Sequence, residues 1–220
     1  MTYKGKKRKL IGPPGLSIER KLGFRPLLRR FLVVCEGKNT EISYFKKFRI
    51  PTLKVEPVGT GLSTVKLVKK VASIKNRIEH EKHISFNSVW VVFDKDNNND
   101  FCDAIKLARH LGYNVAYSVQ AFEYWFILHF KDHQGGPMER SSYVDQINDW
   151  LSSYHTMYDP KSKIVELPMF NLLFANIQQA YDRSTRLYNK KHAKQNDIEE
   201  SVTTVHKLVG DILSLKPSSK

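Results

Sequence analysis

Two short apolar runs, Phe31-Leu32-Val33-Val34 and Val89-Trp90-Val91-Val92-Phe93, each lead into an acid, Glu36 in one case and Asp94 in the other. Neither run alternates with polar residues. Unbroken β-branched runs of this length mark strands covered on both faces, as in parallel sheets. The chain between and after them fits that reading. Thr40 opens a helix with Ile42, Tyr44, Phe45 and Phe48 on its apolar side, and Pro51 stops it. Leu53 to Val58 reads as a second strand, followed by the turn Gly59-Thr60-Gly61. Ser63 to Lys82 reads as a long basic helix, with Val65, Leu67, Val68, Val71, Ile74 and Ile78 as its stripe. After Asp94-Lys95-Asp96 and three asparagines, a helix runs to Leu111, with Gly112 as its C-cap. Tyr113 to Val119 is a fourth strand, and Phe122 to Phe130 an aromatic-rich helix.

This alternation predicts right-handed βαβ units and a mainly parallel sheet flanked by helices. Beyond Gly135-Gly136-Pro137 the pattern turns helical, with Tyr143 to Tyr154, Pro168 to Tyr188 and Asp197 to Leu215 as expected helices. The expected organisation is a basic arm (1–29), an α/β core (30–135) and a helical C-terminal region (136–220). No internal repeat is evident.

The chain has 220 residues, 41% of them hydrophobic and 26% charged, which suits one globular domain with an extension. No apolar run reaches the roughly 20 residues that span a bilayer. The N-terminus is basic but lacks an apolar signal core, so a cytoplasmic protein without membrane association is expected. Cys35 sits inside an apolar run, far from Cys102, and reads as a buried thiol. The net charge is +14 and the pI about 9.7, which favours a polyanionic partner such as DNA or RNA. Met1 to Arg30 holds ten basic residues against the single acid Glu19. Lys6, Lys7, Arg8 and Lys9 in this arm, and Lys66, Lys69 and Lys70 on the long helix, are the candidate nucleic-acid contacts. A merely solvating tail is the competing reading.

Ligands of parallel α/β sheets bind beyond the carboxyl ends of the strands. Glu36 follows the first strand, Asp94 and Asp96 end the third, and Glu123 starts the helix after the fourth. In extended chain Asp94 and Asp96 point to one side. Carboxylates held that close repel unless a cation neutralises them or one takes a proton. Mg²⁺ or Mn²⁺ suits such oxygen donors. Glu36, Glu41, Asp94, Asp96 and Glu123 are therefore the candidate metal ligands, with Glu36 also a candidate general base. For Glu41 the competing reading is a charge that complements the helix dipole. Lys161, Lys163 and Arg183 are candidates to neutralise a transition state, each against an ordinary solvated cation. No phosphate-binding Gly-x-x-x-x-Gly-Lys-Ser/Thr loop occurs. The histidines lack metal-ligand spacing, and His129 reads as a hydrogen-bonded packing residue. Tyr44 reads as core rather than nucleophile, and the aromatics of Phe122 to Phe130 read as core packing rather than a base-stacking surface.

The segments Phe31-Leu-Val-Val-Cys-Glu-Gly-Lys-Asn-Thr-Glu-Ile-Ser-Tyr-Phe45, Val89-Trp-Val-Val-Phe-Asp-Lys-Asp96 and Phe122-Glu-Tyr-Trp-Phe-Ile-Leu-His-Phe130 resemble, in order and interval, three motifs of RloB-like proteins. The resemblance implies a Toprim fold, metal-dependent phosphodiester chemistry, and a role in bacterial phage defence beside an SMC- or ABC-like ATPase. It makes Glu36 the Toprim acid, Asp94 and Asp96 the metal pair, and Glu123 the third-motif acid. The chain departs from the family just before Glu123, where Ser118-Val119-Gln120-Ala121 replaces an Asn-Pro-containing approach. Three functions follow. One is a Mg²⁺-dependent nuclease with Glu36, Asp94, Asp96, Lys161 and Lys163 as its catalytic set. One is a non-catalytic adaptor that binds nucleic acid or the ATPase. One is nucleotidyl transfer. Homodimerisation is left open.

Overall fold

The computed structural model describes residues 27–95, 99–136, 138–192 and 201–216. Four strands, β1 (Arg29–Cys35), β2 (Leu53–Gly59), β3 (Ser88–Lys95) and β4 (Asn114–Val119), form one sheet in the order β2-β1-β3-β4. Every pairing is parallel. The connections are α1 (Thr40–Phe45), α2 (Thr64–Lys82) and α3 (Phe101–His110). After β4 come α4 (Glu123–Phe130), a 3₁₀ turn (Arg140–Ser142), α5 (Tyr143–Ser152), α6 (Leu167–Ala175), α7 (Ile177–His192) and α8 (Val205–Ser214). This is an α/β arrangement, a parallel sheet flanked by helices with a helical C-terminal extension.

Side chains alternate across a strand, so each strand feeds two cores. Leu32, Val34, Val91 and Phe93 pack with Leu67, Val68, Val71, Ala104 and Ala108 of α2 and α3. Phe31, Val33, Cys35, Trp90 and Val92 face the opposite way, into the core with α1 and α4. That second core runs on without a break into Ile147, Leu151, Leu173, Val205 and Leu208 of the C-terminal helices. From Tyr124 to His129 every residue of α4 is buried, so this helix is the axis of that layer.

Three sequence expectations change. The helix expected from Pro168 to Tyr188 is two helices, broken at Asn176, whose Nδ2 donates to Leu172 O at 2.9 Å. An amide that captures its own helix's free carbonyl competes with continuation of that helix. The last helix begins at Val205, not at Asp197; of the residues before it, 197–200 lie outside those described. Ser201 to Thr204 instead run along the open edge of β4. Val119 N donates to Val202 O at 2.8 Å and Thr204 N to Tyr117 O at 2.7 Å, with an antiparallel bridge between Ser118 and Thr203. The segment thereby covers a strand edge that would otherwise carry unpaired amides and carbonyls. The first helix is also shorter than expected, ending at Phe45. Among the described residues no helix is long and apolar enough to cross a membrane.

Candidate active site

The strand order places a topological switch between β1 and β3: from β1 the chain moves outward to β2, then returns past β1 to β3. Crevices at such switch points are where open parallel sheets bind ligands. Glu36 and Asp94 occupy this one. Cys35 lies opposite Val92, and Glu36 N donates to Val92 O at 2.9 Å, so Glu36 and Asp94 leave adjacent strands at nearly the same level.

A cavity of about 230 Å³ opens here, lined by Glu36, Glu41, Asp94 and Glu123 together with Lys163 and Arg140. Four carboxylates from four places in the sequence are thus gathered at one sheet edge. Two glycines make the approach possible. A Cβ on Gly37 would lie 2.1 Å from Glu41 Oε2, and one on Gly59 would lie 2.7 Å from Gly37 O. The loop after β2 is fastened to the end of β1, with Thr60 N donating to Cys35 O (3.0 Å) and Gly61 N to Glu36 O (2.9 Å).

Glu41 is only 5% exposed, and its Oε1 accepts a bond from Gly37 N at 3.2 Å. Burial raises its pKa above the usual carboxylate range, and Glu123 raises it further. Hydrogen bonds from the backbone of Glu41 and Gly37, and the charge of Lys163, act the other way. The exposed dipole-complementing charge that the first turn of a helix suggests is therefore not what the chain builds. Beneath it, burial raises the Cys35 thiol well above its ordinary value, with Glu41 and Asp94 adding to the effect. That thiol is inert by the usual criteria.

Glu123 is aimed into the cavity despite the changed approach before it. Gln120 takes a left-handed backbone (φ 75°), and its Oε1 accepts from Tyr143 Oη at 3.2 Å. The chain then turns into α4 with Glu123 in the first turn. Glu123 Oε1 accepts from Tyr158 Oη at 2.8 Å and from Thr40 Oγ1 at 3.3 Å.

The basic candidates separate. Lys163, at φ 54°, reaches the cavity. Lys161 is exposed and does not line it. Arg183 is elsewhere, its Nη1 donating to Leu128 O at 2.9 Å, where it caps the last turn of α4. Lys66, Lys69 and Lys70 are exposed on α2, across the sheet from α1 and α4. Asp96 and the arm residues Lys6, Lys7, Arg8 and Lys9 lie outside the described residues. Among the described residues, no group of three or more His, Cys, Asp and Glu side chains stands close enough to hold a metal ion as placed.

The family model for the RloB-like protein matches residues 31–212. The chain belongs to the RloB-like family. No curated protein matches it. Among solved structures, a sigma-54 interaction domain protein from Enterococcus faecalis is similar over 59% of this chain and 95% of that one, at 9% identity and a TM-score of 0.22; a likeness that slight carries no argument.

In this RloB-like chain, three residues at the site escaped sequence reasoning. Arg140 sits on the 3₁₀ turn, and Thr40 and Tyr158 hold Glu123. In the sequence Thr40 reads only as a helix start. Tyr158 lies 35 residues from its carboxylate partner, and no local pattern announces such a pairing. A larger cavity, about 430 Å³, lies at the opposite end of the sheet beside Asn87, Ser88 and Asn114. Several polar groups along it are already matched within the protein. Arg30 N donates to Asn87 Oδ1, Asn114 Nδ2 to Ser88 Oγ, and Lys75 pairs with Glu79. Size alone does not mark the functional end.

Proposed function

We propose that this RloB-like protein is a metal-dependent nuclease that cleaves DNA or RNA phosphodiester bonds at the carboxyl edge of its sheet. The observation that supports it best is the convergence of Glu36, Glu41, Asp94 and Glu123 on one cavity that Lys163 also lines. The donor set is all carboxylate oxygen, which is the chemistry of a Mg²⁺ or Mn²⁺ site. Glu36 and Asp94 would hold the ion, with Asp96, close to Asp94 in sequence, and Glu41 and Glu123 as further candidate ligands. When bound, the ion supplies neutralisation of phosphate charge. The rest falls to side chains. Lys163 and Arg140 offer donors to the non-bridging phosphate oxygens. Thr40 and Tyr158 fix the orientation of Glu123. The net charge of +14 draws the polyanion in. A place in bacterial phage defence beside an SMC- or ABC-like ATPase, which the motif resemblance implies, is part of the same proposal.

A second reading, a non-catalytic adaptor, is favoured by one fact: no three of the described acids stand close enough together to hold a single ion. One experiment separates the two. Purified protein is incubated with plasmid DNA, single-stranded DNA and total tRNA, with Mg²⁺, Mn²⁺ or EDTA, and with and without the ATPase. The nuclease reading expects cleavage that EDTA abolishes. Binding without cleavage under every condition establishes the adaptor instead.

A further inference from the structure

We infer that Tyr158 is a positioning residue for Glu123, so that the helical C-terminal region completes the acidic site instead of merely covering it. The inference rests on reading that cavity as a cation site. Tyr158 Oη donates to Glu123 Oε1 at 2.8 Å and lies 2.9 Å from Thr40 Oγ1, which is itself 3.3 Å from the same carboxylate oxygen. Each hydroxyl has one proton. With the Tyr158 proton on Glu123, the Thr40 proton is left for Tyr158 or Glu123, and the three groups close into a ring. Every hydrogen bond that these hydroxyls give the carboxylate falls on Oε1. These bonds resist rotation of the carboxylate and leave Oε2 for the cavity.

The phenol is delivered to this point by contacts that do not use its hydroxyl. Asn148 of α5 clamps the backbone of Tyr158 from both sides, Oδ1 accepting from Tyr158 N (2.7 Å) and Nδ2 donating to Tyr158 O (3.0 Å). The ring packs edge-on against Phe126, with centroids 6.0 Å apart. Downstream, Asp159 accepts from Lys161 N and Ser162 N, Asn39 Nδ2 donates to Ser162 O (2.9 Å), and Val165 N donates to Ser43 Oγ (2.8 Å). The loop that carries Lys163 is therefore tied to α1 on both sides of that lysine. Tyr158 is 1% exposed, and its hydroxyl is engaged by Glu123 and Thr40. Groups that orient a ligand in this way typically change metal affinity by about 10- to 100-fold when removed.

Tyr44 provides the control. It is equally buried, and its hydroxyl accepts one hydrogen bond, from Trp125 Nε1 at 2.9 Å, away from the carboxylates. The test compares wild type, Tyr158→Phe and Tyr44→Phe, each also combined with Glu123→Gln. Two quantities are read: the Glu123 side-chain ¹³C carboxyl resonance in metal-free protein, and Mn²⁺ affinity by calorimetry. Tyr158→Phe should move the Glu123 resonance and weaken Mn²⁺ about 10-fold. Tyr44→Phe should do neither, and in the Glu123→Gln background Tyr158→Phe should cost no further affinity. An unmoved Glu123 resonance overturns the inference, and so does a loss that adds in full to that of Glu123→Gln. Wild type that binds no Mn²⁺ sinks the cation reading of the cavity, while the resonance still decides whether Tyr158 positions Glu123.

Discussion

The two faces of the sheet are packed to the same completeness and with different chemistry. Against α2 and α3 the core is largely aliphatic, built from Leu32, Val34, Val91, Leu67, Val68 and Val71. Against α1 and α4 it is aromatic, with Tyr44, Phe45, Phe122, Phe126 and Tyr158 in contact through their ring edges and Trp125 hydrogen-bonded to Tyr44. That face also buries polar groups, namely Glu41, Thr40 and His129. Apolar burial is non-directional and tolerates rearrangement, whereas a buried polar group needs its partner in place. The aliphatic face therefore holds the sheet, and the aromatic face holds the sheet and aims the acids.

The comparison can be broken first through pH. His129 is completely buried on α4, its Nδ1 bonded to Trp125 O at 2.8 Å. Burial lowers its pKa from 6.5 to about 3, with Arg183 acting in the same direction against two backbone hydrogen bonds. The unfolded chain therefore binds this proton between pH 6.5 and 3 while the folded one does not. Stability is fully present above 6.5 and is lost as pH falls toward 3, by up to about 5 kcal/mol. His129→Gln should flatten that limb in urea melts repeated across the range. An unchanged slope would show that this face is no more acid-sensitive than the other.

Next in size is Leu67→Ala on the aliphatic face, which should cost about 3 kcal/mol and leave Mn²⁺ affinity within twofold. A loss of Mn²⁺ binding beyond that of general destabilisation would deny the division of labour. Third, Lys163→Ala should slow cleavage about 100-fold. The triple change of Lys66, Lys69 and Lys70 to Ala should weaken binding and lower the salt slope by about 3, with turnover of bound substrate intact. Equal effects on turnover would place the substrate across both faces. The smallest effect expected is from Tyr44→Phe, about 1 kcal/mol in stability, read by thermal melting.

The sheet was legible because its signals are local. Unbroken runs at Phe31–Val34 and Val89–Phe93 could only be covered strands, and each led to an acid by chain direction alone. Glu36, Asp94 and Glu123 could be named for that reason. What escaped depends on partners distant in sequence. Thr203 meets Ser118 across the β4 edge, 85 residues away. The Glu41 carboxylate is buried because Gly37 and Gly59 let two loops close over it, and nothing in a first helical turn foretells that. Tyr158 and Arg140 come from loops, where periodicity offers no guide. The break at Asn176 was hidden by a continuous helical pattern on both sides of it.

The central claim is that the acids do chemistry on a substrate that basic residues bind. Its most direct test is Asp94→Asn, with cleavage rate and nucleic-acid affinity measured on the same substrate in Mg²⁺. The account predicts cleavage reduced at least about 100-fold, with affinity within about threefold. Cleavage that survives the substitution, or that falls only in step with affinity, would contradict it.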